Sequence, residues 1–293
     1  MAQPYQCDMT LSFRQPDDQG KRSVAVWQSS KGSGLLFADT MNINTDGTSR
    51  SYSVGDFWGE KVALNNLCNA MTDACGGLSK DGMQARRVAT QTARAHGWPA
   101  SETAATRISP SIIPFKNGKP CPEVGGFLVS ATSLHKARIT DPCDITSYAD
   151  ALTVPAIVIP KRRKGAGPTP FEQAGASVGD LAVMMSADGK LIKYAVIGDT
   201  GPYNSLGEVS LALASDLNGR LLPPKNYQEV RGRGEFRGRG WHVGKTYTLI
   251  LSHTRNAANP YITRDRIERD AATAFTNWGG AGRLKACAAT YRP

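Results

Sequence analysis

The stretch YAVIGDTGPYNSLGEVSLALA, Tyr194–Ala214, holds two apolar runs separated by a tight polar loop. The first run stops at Gly198-Asp199, a Gly201-Pro202 turn follows, and Gly207-Glu208 opens the second run. Two carboxylates thus stand at the two lips of one short loop between segments that read as buried. An apolar strand end desolvates a carboxyl group and favours its protonated form. Spacing alone equally describes a turn Asp and a Glu near a helix start, both common.

Working outward, DLAVMMS (180–186) and LIKYAVIGD (191–199) read as two strands joined by an Asp188-Gly189 hairpin turn. VPAIVIP (154–160) is apolar throughout, as a strand buried on both faces would be. GGFLVSATSL (125–134), SVAVWQ (23–28), GLLFADTMNI (34–43) and KTYTLILSH (245–253) read as further strands, with TDGTS (45–49) a turn. VSLALASDL (209–217) leans to helix, since Asn218-Gly219 can end it. ITRDRIERDAATAFTNWGG (262–280) predicts a helix with Thr263 as N-cap and Gly279-Gly280 as its stop. KVALNNLCNAMTDAC (61–75) and DGMQARRVATQTARAHGW (81–98) carry helical periodicity and suggest a helical insertion at about 61–120. Residues 1–25 are expected to form an N-terminal extension to a single domain, 26–293.

Composition limits the class. At 293 residues with 40% apolar content, the chain can bury a sizeable core, and 30 Gly with 17 Pro favour a loop-rich, mostly β architecture. No window approaches the roughly 18 apolar residues of a membrane span, so no membrane insertion is expected. The six cysteines form no CxxC pair, which argues against zinc; disulfides are the better reading and imply an oxidising compartment, with the pairing open. The start, MAQPYQCDMTLSFRQ, has neither a basic nor an apolar leader region. The expectation is a protein secreted or delivered to a periplasmic or extracellular space without a recognisable signal peptide.

The formal net charge of +10 favours a polyanionic partner: nucleic acid, an anionic membrane or an anionic cell-wall polymer. KRRKGAGPTP (161–170) and RGRGEFRGRG (231–240) concentrate that charge in loops. The second resembles an RNA-binding tract but is brief and lies between ordered segments, so a grip on an anionic substrate is favoured over nucleic acid. The four histidines show no ligand spacing, and no GxSxG elbow, Walker loop or dinucleotide fingerprint is present. No metal and no cofactor is expected.

VGDLAVMMSADGKLIKYAVIGDTGPYNSLGEVSLALA (178–214) resembles the fungal chitosanases of glycoside hydrolase family 75 and their bacterial relatives. The shared pattern is Gly-Asp, a two-stranded hairpin, Asp-x-Gly-Pro, a short loop, Gly-Glu-x-Ser and an Ala/Leu run. GLLFADTMNINTDG is similar to that family's strand ending in Asp-x-Asp-Gly, with Asn44 where Asp is usual. GGFLVSATSL, SYADALTVPAIVIP and the C-terminal strand and helix through NWGGAGRLKAC also fit, over roughly residues 30–60 and 124–290. The resemblance implies a mostly β (α+β) fold with a six-stranded double-psi β-barrel core and a C-terminal helix. It implies an inverting glycosidase without cofactor, with Asp199 and Glu208 as the catalytic carboxylates; the resemblance leaves their division of labour open, and we take Glu208 as the general acid and Asp199 as the general base. Asp-x-Gly-Pro after a strand also resembles lytic transglycosylases of the rare-lipoprotein-A type, where Asp199 would be the acid. Asp46, Asn44, Thr200, Tyr203 and Ser210 are candidate substrate-binding residues.

The polymer follows from charge. Chitosan is a polycation when its amines are protonated, whereas peptidoglycan strands carry stem-peptide carboxylates, so a basic enzyme is steered to peptidoglycan. The expectation is a monomeric glycosidase acting on β-1,4 bonds of peptidoglycan. As an antibacterial effector it would have an immunity or delivery protein as partner. Chitosan is the alternative polymer, and a glycan-binding barrel without catalysis the non-enzymatic alternative.

Overall fold

In the computed structural model, which describes residues 6–17 and 20–291, the two apolar runs flanking the Asp199–Glu208 loop belong to one closed barrel. The chain divides into two compact units: Met1–Asn44, Thr153–Arg220 and His242–Pro293 form the first, Thr45–Leu152 and Leu221–Trp241 the second. Chain order gives β1 (Met9–Pro16), β2 (Ser23–Ser29) and β3 (Leu35–Asn44) in the first unit. The second contributes α1 (Lys80–Ala95), α2 (Ala100–Thr106), β4 (Phe115–Lys116) and β5 (Lys119–Pro120). Back in the first come β6 (Ala156–Pro160), α3 (Pro170–Gln173), β7 (Leu181–Ser186), β8 (Ile192–Gly201), β9 (Glu208–Ser210) and α4 (Leu211–Asn218). Then α5 (Tyr227–Arg231) lies in the second unit, and β10 (Val243–Leu251), α6 (Arg264–Trp278) and α7 (Gly280–Thr290) complete the first.

Six strands close the barrel in the order β3-β10-β7-β8-β6-β9, with β9 pairing back onto β3. The β6–β8 and β3–β9 pairs are parallel and the others antiparallel. The core is what the apolar runs promised: every residue of β6 is buried, as are Leu181–Met185, Ala195–Ile197 and Leu249–Leu251. α6 packs a stripe of Ile267, Ala271, Phe275 and Trp278 inward, and Phe275 meets Tyr194 of β8 edge-on at 6.2 Å between ring centres. α4 begins at Ser210, whose hydroxyl accepts the Leu213 N–H, and stops at Gly219 in the left-handed conformation (φ 64°).

Residues 9–16, expected in an extension, are instead β1, which pairs antiparallel with β2 along the outside of β3. β1 alternates weakly, with Met9 and Gln15 buried and its middle residues exposed, so its sequence lacks an apolar signature. The C-terminal helix does not finish at Gly279-Gly280: Gly279, at φ 122°, breaks the axis and α7 resumes at once.

The second unit takes in more of the chain than the stretch 61–120. Its core gathers Tyr52, Val54, Phe57, Leu67, Ile113 and Leu128. Residues 61–75 do not form the expected helix; they make turns and one 3-10 segment, Leu67–Ala70, because the Cys68–Cys75 disulfide closes a loop too tight for helical winding. GGFLVSATSL is not a strand either. It contributes single bridges, Tyr52 to Leu128 and Val124 to Phe127, and its apolar side chains fill the core of this unit. The loop 56–63 is folded around Asp56, whose Oδ1 accepts the Glu60 N–H and whose Oδ2 accepts those of Lys61, Val62 and Ala63 at 2.7–3.0 Å. All six cysteines are paired, as Cys7–Cys287, Cys68–Cys75 and Cys121–Cys143. Three disulfides fit an oxidising environment. No helix among the described residues is long and apolar enough to cross a membrane.

Candidate active site

Asp199 and Glu208 are brought together by strand register. β6 lies between β8 and β9, and its Val158 is the partner of Asp199 on one side and of Glu208 on the other. Paired residues in neighbouring strands present side chains to the same face, so both carboxylates stand on one face, flanking Val158. Two strand spacings separate their backbones by roughly 9–10 Å. Both residues are partly exposed.

A slip in pairing places Asp199 there. Ile157 pairs with Ile197 but Val158 pairs with Asp199, so Gly198 is an extra residue on β8. Such an insertion turns the following side chain onto the face that strict alternation would deny it. A Cβ on Gly198 would lie 2.6 Å from the Ala156 Cβ, which is why glycine occupies this position. Asp199 Oδ1 accepts the Thr200 N–H at 2.8 Å. Glu208 reaches back toward β8: its Oε2 lies 3.7 Å from where a Cβ on Gly201 would stand.

Behind Gly207, the residue before Glu208, lies a buried carboxyl group absent from the sequence expectations. Asp39 of β3 is 1% exposed, and its Oδ1 accepts from Arg22 at 2.5 Å and from the Thr40 N–H at 2.8 Å. Among the described residues its buried Oδ2 meets no hydrogen-bond partner, and it lies 3.2 Å from a Cβ built on Gly207. Burial pushes the Asp39 carboxyl above its ordinary range, although the Thr40 N–H and the Arg22 charge oppose this. Arg22 also donates to Asp17 at 3.0 Å. The only sign of Asp39 in the sequence was a charge inside an apolar strand.

Gly207 is tightly constrained. It has φ 109°, its carbonyl accepts the Asn42 N–H at 2.7 Å, and an added Cβ would come within 2.8 Å of the Thr40 carbonyl oxygen. Gly207→Ala is therefore expected to displace Glu208 and to lower stability by about 1–3 kcal/mol. A thermal melt checks this; a variant melting with the parent would mean that the backbone here relaxes around the added methyl group.

The remaining candidates separate. Asn44 ends β3 in register with Ser210, two residues from the level of Glu208, whereas Thr200 follows Asp199 on β8 in the opposite direction along the barrel wall. Ser210 does not offer its hydroxyl to solvent. It is 3% exposed, donates to the Val154 carbonyl and accepts the Ala156 and Leu213 N–H groups, thereby anchoring the strand that carries Glu208. Tyr203 stands 50% exposed in the β8–β9 loop, with the Arg163 guanidinium 5.4 Å from its ring centre. Asp46 falls in the second unit, where it accepts from the Tyr52 hydroxyl at 2.8 Å and the Ser130 hydroxyl at 3.2 Å. The RGRG loop also lies in that unit, with Arg233 over Tyr227 and Arg239 over Phe236. No family model and no curated protein matches the chain.

Proposed function

We propose that the chain is a glycoside hydrolase cleaving β-1,4 bonds of an amino-sugar polysaccharide, with bacterial peptidoglycan strands as the favoured substrate. The observation that carries this reading is the pairing of Asp199 and Glu208 with one residue, Val158, on one face of the barrel. Inverting glycosidases place a general acid and a general base about 6.5–9.5 Å apart, leaving room for a water between the base and the anomeric carbon. A backbone separation of roughly 9–10 Å suits that spacing once the side chains lean inward. In this reading Glu208 protonates the leaving oxygen, and Asp199 takes a proton from the attacking water. The resemblance to glycoside hydrolase family 75 supports the same two residues.

The +10 charge favours peptidoglycan over protonated chitosan. The three disulfides suit action in a periplasmic or extracellular space, as an antibacterial effector would require. A lytic transglycosylase reading rests on Asp199 alone, since that chemistry needs one acid and no water.

Mass spectrometry of soluble products from purified sacculi and from chitosan tests this. Muropeptides with reducing ends are expected. Anhydro ends would instead make the protein a lytic transglycosylase, glucosamine oligomers from chitosan alone would make it a chitosanase, and release from neither would overturn the hydrolase reading.

A further inference from the structure

The basic run Lys161–Lys164 leaves β6 just past the position that separates the two carboxylates. β6 ends at Pro160, the partner of Gly201, and the Lys161 N–H donates to the Gly201 carbonyl at 3.1 Å. Lys161 is three residues beyond Val158, about 10 Å along an extended strand. The run is thus fixed to the same end of β6 and β8 as the candidate pair.

Its four cations are not equivalent. Arg162 is taken up by Glu172, with its Nε 2.8 Å from the carboxylate. Among the described residues, Lys161, Arg163 and Lys164 meet no carboxylate, and the Arg163 guanidinium donates no hydrogen bond. Arg163 lies instead over the exposed ring of Tyr203. Tyr203 belongs to the loop joining Asp199 to Glu208, and its carbonyl accepts from the Gln15 amide at 3.4 Å. A guanidinium stacked on a ring keeps its N–H edge directed outward while losing little freedom on binding an anion. A tyrosine half-exposed in the loop that joins the two carboxylates also offers an apolar face to a sugar ring.

The geometry points to a subsite in which Lys161, Arg163 and Lys164, on the Tyr203 platform, bind a carboxylate carried by the sugar next to the cleaved bond. This deepens the glycosidase reading and rests on it. The substrate class becomes a glycan whose amino sugars bear acidic substituents, and selectivity against a polyamine glycan becomes a local property rather than a consequence of overall charge.

The test measures binding in a Glu208→Gln background, using soluble glycan strands from sacculi treated with hydrofluoric acid so that no phosphodiester polymer remains. Lys161→Gln/Arg163→Gln/Lys164→Gln is expected to weaken binding about tenfold, with most of the difference lost in high salt or when the strand carboxylates are amidated. Lys31→Gln/Lys190→Gln/Lys285→Gln removes the same charge elsewhere on the first unit and is expected to change binding less than about twofold. Tyr203→Phe should bind like the parent and Tyr203→Ala more weakly. Equal weakening by both triple variants, or equal binding of amidated strands, would overturn the subsite. If only untreated strands show the difference, the anion recognised is a phosphodiester and the carboxylate assignment fails. Product release by the otherwise wild-type protein is scored separately: cleavage with unselective binding defeats the subsite alone, and selective binding without cleavage defeats the hydrolase alone.

Discussion

Replacing Glu208 by Gln is expected to lower glycan cleavage at least about 10²-fold, and Asp199→Asn to do the same, with the melting temperature of each within about 2 °C of the parent. Both substitutions are isosteric and remove only the capacity to carry a proton or a charge. Both residues are partly exposed, so solvent moderates the loss of either charge. The two variants should also differ from each other. If Glu208 is the acid, an aryl glycoside with a good leaving group restores Glu208→Gln, because that group departs without protonation. Asp199→Asn stays inactive on the same substrate, because no base activates water. Retention of more than about a tenth of parent activity by either variant would remove that residue from the pair. Restoration of Asp199→Asn alone would exchange their roles and favour the transglycosylase chemistry.

The second large effect concerns stability. Asp56→Asn is expected to destabilise the second unit by about 3–5 kcal/mol at neutral pH, seen as a melting transition lowered by roughly 10 °C. Four main-chain N–H groups converge on this one carboxylate, and no orientation of an amide can accept all four. Burial alone would raise the Asp56 pKa, but the four donations outweigh it and hold the carboxyl below its ordinary range. A depressed carboxylate stabilises the fold at every pH above its unfolded value, and that contribution is lost as pH falls through the folded value. The gap between parent and variant should therefore be full near pH 7 and narrow steadily below about pH 4. A variant melting with the parent at pH 7 would mean that the 56–63 loop is held by its apolar side chains, Phe57 first among them.

What could be read directly from the chain were elements whose signal is local. β6, β7, β8 and β10 are apolar runs bounded by turns, and α6 carries an unbroken stripe. The closing strand β9 is three residues long and runs straight into α4, so a single apolar run, VSLALASDL, hid a change from strand to helix at Ser210. In residues 61–75 the helical pattern was present, but a covalent loop overrode it. The candidate pair was visible as two carboxylates near one loop. Their relation was not, because it depends on a third strand, β6, and on the pairing slip at Gly198. Asp39 and Arg22 are 17 residues apart and meet only through the antiparallel β2–β3 pairing and the turn before β2. Nothing in their spacing signals it.

The Cys7–Cys287 bridge spans 280 positions of a 293-residue chain, so nearly the whole polypeptide is one covalent ring. A protease that cuts once, for instance in the exposed stretch 161–168, opens the ring but frees no fragment, and the strands on either side stay tethered. Release of a piece requires a second cut or a reductant. Breakdown on a non-reducing gel should then show a lag, as expected for a two-hit process, and a once-nicked molecule could go on working in a compartment rich in proteases.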